Sequence, residues 1–422
     1  MRIPRILAGI CAIFLASCGG GDGEEDPSTG ATTGGGSGSE TTGTGATTGT
    51  GGGATGTGGG ATTGTGGGAT TGTGGGATTG TGGDATGTGG DATGTGGDAT
   101  GTGGGATTGA GGGTPVESGL PVPPGAGDVP KPSGAAGGFK VIDWAGFTGA
   151  VSYSFDDSNS TQIQNYDKMN ALGVRFTFYV QTGKREANDP VWKKALEDGH
   201  ELGNHTKSHS SNDNGSDTDA ATQFIQQTFG IDPYTMAAPN GAGVYTGIAK
   251  TRFLINRGVS NKVIAPNDNT DPFTLPTYIP PTGASASAMD QQINEARQQK
   301  GWRTFCIHGF TGGSDGAYQP IPLQAFLDHV ENTKKLGDMW IDSMVNVGAY
   351  WLGQKAVSSG TSMKSGSDTT FTWQLPDHFP PGKYVRVTVT GGTLKQNGVP
   401  LAWDSRGYYE VALDPESVTL SP

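Results

Sequence analysis

From Phe139 to about Val357 the chain alternates short apolar runs with stretches of helical period. "AVSYSF" reads as a strand, and "TQIQNYDKMNALG" sets Ile163, Tyr166, Met169 and Leu172 near helical spacing before Gly173. "VRFTFYVQT" predicts a second strand, followed by a helix over "PVWKKALEDG" with Pro190 at its start and Gly199 at its end. "HELGNH" reads as a short strand and turn, and "YTMAAP" and "WRTFCIHGF" as further strands. Helices are predicted from "VYTGIAKTRFLINRG" and "LQAFLDHVENTKKLG", and "MWIDSMVNVGAYWLGQ" reads as a strand entering a helix. This alternation predicts an α/β fold, a parallel sheet covered by helices and either open or closed into a barrel. In both forms functional groups gather at the carboxyl ends of the strands. Asp156 and Asp157 stand at the end of the first one.

The pattern changes on either side of this region. Past the polar linker "GQKAVSSGTSMKSGSD", the segments "TTFTWQL", "YVRVTVTG" and "YYEVAL" alternate as strands, and "KQNGVPL" holds the Asn-Gly of a tight turn. Residues 358–422 are therefore expected to be a small β-rich appendage, short for an independent domain. Its Trp373, Tyr384, Trp403, Tyr408 and Tyr409 read as core rather than as a platform for sugar rings. On the other side, residues 19–138 are mostly Gly, Thr, Ala and Ser, with "GGGATTGT" and then "GGDATGT" repeated, ending in a Pro-rich neck at Pro115–Pro132. So little apolar surface does not offset ordering entropy, so a disordered tether is expected rather than a solenoid. About 100 residues of such coil span roughly 50–60 Å.

The first residues, "MRIPRILAGICAIFLASCGGG", join Arg2 and Arg5 to an apolar run and then small residues, the pattern of a secretory signal too short to span a bilayer. Leu15-Ala16-Ser17-Cys18 resembles a bacterial lipobox, which makes residues 1–18 the expected signal peptide and Cys18 the expected lipidated membrane anchor. Gly19 after the Cys favours the outer membrane in that resemblance. Cys11 leaves with the signal, so Cys306 has no partner for an intrachain disulfide. The formal charge of −12 argues against nucleic acid and anionic lipid as partners. A monomer is expected.

Candidate chemistry sits in three places. "FDDS" puts two carboxylates side by side, which is turn chemistry or a metal site with a base beside it. In "HELGNHTKSH", His205 and His209 are four apart, so one helical turn would set both imidazoles on one face. The chain has 6 His, and these two follow the third predicted strand, on the rim that carries the Asp pair. One carboxylate and two imidazoles, with positions left for water, make the ligand set of a hydrolytic zinc-type site. His308 ends the apolar run Trp302–Ile307, where a core His, a third ligand and a general acid are all open readings. His200, His329 and His378 are assigned to structure or surface.

In order and spacing, "SFDDS", "HTKSH" and "FCIH" resemble the motifs of the polysaccharide deacetylases, the NodB-homology domain of carbohydrate esterase family 4. The likeness covers roughly Thr148 to Leu352 and implies a distorted (β/α) barrel over residues 139–357. It implies that Asp156 is the general base and that Asp157, His205 and His209 hold one divalent metal, Zn by preference with Co or Ni as alternatives. It implies His308 as the acid that protonates the leaving group, and the Asn240 backbone N–H as an oxyanion donor. The sequence departs from the family's Arg-x-Pro-Tyr at "AAPNG": Ala237 stands where the Arg would orient the base, and Asn240 where the Tyr would be. Arg185 is a candidate replacement for the Arg, and Asp268 and Asp271 are candidates for the family's Asp-Trp motif. The expected activity is metal-dependent removal of N- or O-linked acetyl groups from a polysaccharide or oligosaccharide. Hydrolysis of a non-sugar amide on the same fold, and polysaccharide binding without turnover, are the alternatives.

Overall fold

The computed structural model describes residues 118–422 and, within the repeat tract, Ala61 and eleven four-residue strands between Thr32 and Ala110. The expected signal and Cys18 lie outside the described residues. The chain divides into two compact units, Met1–Thr114 and Pro115–Pro422.

In the first unit the described strands alternate between two parallel sheets, one of six strands and one of five. Thr47–Thr50 pairs with Thr62–Thr65, and Ala54–Thr57 with Thr70–Thr73, each in register with Gly opposite Gly. Ala54, Thr62 and Thr70 are buried. These strands depart from the coil expected of so apolar-poor a tract. In-register stacking of near-identical repeats lets each strand's backbone groups bond to the strand on either side, a contribution that a count of apolar residues leaves out.

The second unit is built on seven parallel strands: β1 (Gly149–Phe155), β2 (Thr177–Val180), β3 (Glu201–Asn204), β4 (Thr235–Ala237), β5 (Ile255–Arg257), β6 (Trp302–Ile307) and β7 (Met339–Ile341). Their order is β5-β4-β3-β2-β1-β6, with β7 also paired to β1. Every residue of β1 is buried. Its odd-numbered side chains Val151, Tyr153 and Phe155 enter one apolar cluster with Phe176, Phe178, Phe305 and Phe326. Its even-numbered Ser152 and Ser154 face the other way, and their hydroxyls donate to Ser343 O and Phe305 O. β1 pairs with β6 along Ala150–Phe155, with β2 only at Ser154–Phe155 and with β7 only at Gly149–Val151, so β2 and β7 diverge from its two ends. Between β5 and β6 the irregular stretch 275–278 fills the gap, Leu275 bridging Arg257 and Tyr278 bridging Phe305. The result is a distorted, incompletely closed barrel.

Among the described residues, seven helices accompany the sheet: α1 (Ser160–Asn170), α2 (Val191–Glu197), α3 (Ser216–Phe229), α4 (Val244–Lys250), α5 (Ala286–Gln298), α6 (Leu323–Leu336) and α7 (Met344–Ser358). The helix predicted across "VYTGIAKTRFLINRG" is in fact α4 followed by β5. Phe253, Leu254 and Ile255 are consecutive and all buried, which suits a strand covered on both faces and not a one-sided helix. α7 is buried almost all round, with ten of its residues in the core. Barrel and C-terminal strands approach it closely: a Cβ on Gly348 would collide with Ile255, and one on Gly353 would meet Leu413 at 2.5 Å.

The C-terminal strands form two antiparallel sheets whose Val385, Val387, Val411 and Leu420 share one apolar cluster with Trp302, Trp340 and Trp351 of the barrel. Lys140–Val141 pairs with Tyr384–Thr388, tying the chain just before the barrel to this region. Trp373, Tyr408 and Tyr409 are buried, and Asn397 and Gly398 take the positive φ of the expected tight turn. The last part of the Pro-rich neck belongs to this unit. Val129 N–H donates to Ser405 O at 2.7 Å, Trp403 Nε1 donates to Val129 O, and Arg386 Nη1 donates to Pro121 O. Extended Pro-rich backbone makes no bonds within itself, so docking on strands and side chains is what satisfies it.

Candidate active site

The carboxyl ends of β1, β3, β4, β5 and β6 surround a cleft of about 540 Å³. Lining it are Asp156, Asp157, His205, His209, Asn240 and His308, together with Arg257, Cys306 and Tyr318. The residues expected as base, acid, metal ligands and oxyanion donor therefore meet in one place.

Asp156 follows β1, and its backbone N–H donates to Ile307 O of β6 at 3.0 Å. The next two residues turn sharply, Asp157 at φ 74° and Ser158 at φ 54°. That left-handed pair swings the second carboxylate out of line with the first, which is how adjacent aspartates come to face different partners. Gln162 and Asn159 fasten the turn to β6: both donate to His308 O, at 2.8 and 2.7 Å, and Gln162 also donates to Asp156 O.

His205 and His209 do not lie on a helix. They flank a loop after β3 in which Thr206 and His209 both have positive φ. Thr206 N–H donates to Asn204 Oδ1, and His209 N–H donates to Thr206 Oγ1, and these bonds hold the loop's shape. The rings still converge, with centroids 4.8 Å apart. His205 Nε2 is 3.3 Å and His209 Nε2 is 3.4 Å from the same oxygen, Asp157 Oδ1. Tetrahedral coordination with metal–nitrogen and metal–oxygen bonds of about 2.0–2.2 Å places such donors about 3.3–3.6 Å apart. His205 Nδ1 lies 2.9 Å from Ala237 O, the outer hydrogen bond that fixes a ligating imidazole with its other nitrogen free. That other nitrogen, Nε2, is buried and has no hydrogen-bond partner. The residues present fit a divalent ion.

The field at the site points the same way. Burial would raise the Asp157 carboxyl, but His205, His308 and His209 outweigh it and hold it well below the usual carboxylate range. Burial would lower His205, yet the Asp156 and Asp157 carboxylates pull it up. A cation beside these two carboxylates meets the same demand while leaving the ring neutral.

A guanidinium does reach Asp156, from a residue other than Ala237 or Arg185. Arg257, 1% exposed, ends β5 and donates from Nη2 to Asp156 Oδ2. Burial alone would raise Asp156, and Arg257, with His205 and His308, more than reverses that and lowers it. Ala237 sits one strand away in register with Arg257, so the guanidinium arrives from the neighbouring strand. The apolar run "FLINRG" closes on this Arg, but its continuity with a helical pattern hides the strand end. Arg185, the suggested substitute, is exposed and pairs with Glu186. Asp268 accepts from Ala265 N and Thr270 N and Asp271 from Phe273 N, so both shape loops, and neither lines the cleft.

His308 Nε2 lies 3.9 Å from Asp156 Oδ2, and Tyr318 packs edge-on against its ring at 5.2 Å. Burial, only partly opposed by the aspartates, lowers its pKa. Asn240 takes φ 54°, and its side chain donates to Ser211 Oγ. The histidines assigned to structure lie elsewhere: His200 between Phe176 N and Asn170 Oδ1, His329 between Tyr153 OH and Asp290 Oδ1, and His378 on an exposed turn.

Residues 148–252 match the family described as Polysaccharide deacetylase. Among solved structures, the chain is similar to a family 4 acetyl xylan esterase from Clostridium thermocellum in complex with cobalt, at 18% identity and TM-score 0.34, over 47% of this chain and 89% of that one. It is also similar to a peptidoglycan deacetylase from Bacillus subtilis, at 19% identity and TM-score 0.30, over 47% and 89%. A polysaccharide deacetylase from Bacillus cereus matches at 14% identity and TM-score 0.33, over 46% and 91%. No curated protein matches the chain.

Proposed function

The chain carries a polysaccharide deacetylase domain over residues 148–252, and from that premise we infer that it hydrolyses acetyl groups from an acetylated polysaccharide or oligosaccharide with the help of one divalent metal. The observation that carries this reading is the buried Arg257–Asp156 ion pair set against the Asp157, His205 and His209 donor set. A protein that only binds sugar needs neither an oriented, ionised carboxylate nor its guanidinium.

Asp157, His205 and His209 would hold the ion. When bound, it would polarise an acetyl carbonyl and acidify water at the site. The chain's own residues do the rest. Asp156, kept ionised and aimed by Arg257, accepts a proton from the attacking water. Asn240, on a left-handed turn at the cleft, offers its backbone N–H to the oxygen that gains charge. His308 hands a proton to the departing amine or alcohol, and Asp156, 3.9 Å from its ring, passes on the proton taken from water. Val259 and Ile279 line the same cleft and offer apolar surface to an acetyl methyl. Zinc is the preferred ion for two imidazoles and a carboxylate.

The wider setting rests on the leader expected over residues 1–18. An exported chain held to the envelope through a lipidated Cys18 would meet polysaccharide there. Acetate release from N-acetyl-chitooligosaccharides and from acetylated xylan, with and without added Zn²⁺, tests the activity and ranks amide against ester. We expect metal-dependent release that falls at least 100-fold in Asp156→Asn. No release from any acetylated glycan, with metal bound stoichiometrically, would move the assignment to another amide.

A further inference from the structure

Next to the Asp157, His205 and His209 donor set lies a second constellation that the reaction above does not use as such: Asp156, Cys306 and His308. Cys306 sits on β6 two residues before His308, fully buried yet lining the cleft. Its S–H donates to Asp156 Oδ2 at 3.4 Å, and its sulfur is 3.9 Å from His308 Nε2. Asp156 Oδ2 and His308 Nε2 are themselves 3.9 Å apart. A tetrahedral ion bound by thiolate at about 2.3 Å and by nitrogen and oxygen at about 2.0–2.2 Å needs donors about 3.3–3.6 Å apart. These three atoms stand within a few tenths of an ångström of that. Asp156 offers more: its Oδ1 is buried and without a hydrogen-bond partner, while Oδ2 carries Arg257.

We propose that Asp156, Cys306 and His308 form a second, inhibitory cation site selective for thiophilic divalent ions such as Cd²⁺ or excess Zn²⁺. It rests on the deacetylase reading for its consequence but not for its existence. Binding replaces the Cys306 S–H bond with a sulfur–metal bond and releases that proton to solvent. The ion engages the proton acceptor Asp156 and the proton donor His308 together, so neither can act. Arg257, one positive charge beside Asp156, weakens the second site relative to the first and places it at higher metal concentration. Soft thiolate selects Cd²⁺ and Zn²⁺ over hard ions, so Mg²⁺ in excess should not inhibit.

The test uses the full chain, loaded first with one equivalent of Zn²⁺. Cd²⁺ is titrated while the ultraviolet sulfur-to-cadmium charge-transfer band is followed in wild type, Cys306→Ser and Cys306→Ala. A band that depends on Cys306 and weakens in His308→Ala supports the site; equal bands in wild type and both Cys306 variants overturn it. In parallel, acetate release is measured against rising Zn²⁺, each variant normalised to its own rate at one equivalent. We expect wild type to lose at least tenfold of its rate and the Cys306 variants to resist; equal loss in all three overturns the inhibitory role. Near-ultraviolet circular dichroism and first-equivalent Zn²⁺ stoichiometry check that the variants keep the fold. If no glycan is deacetylated, the activity reading fails while the cadmium band still decides the site.

Discussion

At the scale of single residues, the pair Arg257 and Asp156 decides what the cleft can do. A carboxylate as buried as Asp156 would resist ionisation on its own, and the guanidinium is what makes it a base near neutral pH. Removing the cation in Arg257→Met should raise the Asp156 pKa. The acid limb of the pH–rate profile then moves to higher pH, because protonation silences the base sooner as pH falls. We expect kcat/KM at neutral pH to drop on the order of 100-fold, within the usual span for losing an acid–base partner. Arg257→Lys keeps the charge but not the fork, and should recover part of the rate while leaving the acid limb near its wild-type place. An unmoved acid limb in Arg257→Met would show that the pair does not set the base. His308→Ala should cost a further 10²–10⁴ in rate by the same measure.

At the scale of elements, the barrel strands and the rim that gathers the site are legible in sequence, because β1, β2 and β6 are dense apolar runs ending in polar chemistry. What is not legible follows from tertiary context. β5 is three residues long and continuous with a helical pattern, so its Arg257 was invisible as a strand-end residue. The His205–His209 spacing suggested a helical turn, whereas left-handed residues in a loop bring the rings together. α3 and α5 bury only narrow faces, Ala221 with Ile225 and Met289 with Ile293, which leave little periodic signal. His200 shows how elements are pinned. Its ring accepts the Phe176 N–H ahead of β2 and bonds Asn170 at the end of α1. Burial pushes its pKa down to about 4 from 6.5. The unfolded chain therefore binds the extra proton between those values, so stability is full above about pH 6.5 and is lost as pH falls toward 4. After allowance for partial exposure the loss is on the order of 2 kcal/mol. Urea midpoints followed by Trp fluorescence should decline across that window in wild type and decline less in His200→Asn from a lower starting point. A flat profile in wild type would contradict the neutral, pinned ring.

At the scale of the whole molecule, the C-terminal strands complete the core of the barrel unit, and α7 is the element both sides share. Gly353→Val would press a branched side chain into Leu413 and should destabilise by about 1–3 kcal/mol, read as a lower urea midpoint. All 7 Trp lie between Trp144 and Trp403, so fluorescence reports on this unit alone. The residues that line the cleft run from Asp156 to Tyr318. Deleting residues 19–114 should leave the rate on short soluble oligosaccharides unchanged within twofold. The most direct measurement of the central claim is acetate release from an N-acetyl-chitooligosaccharide and from acetylated xylan after chelation and again after one equivalent of Zn²⁺, wild type beside Asp157→Ala and His209→Ala. We expect release to vanish on chelation, to return with Zn²⁺ in wild type, and not to return in either variant. Release from the chelated protein, or full recovery in the variants, would contradict it.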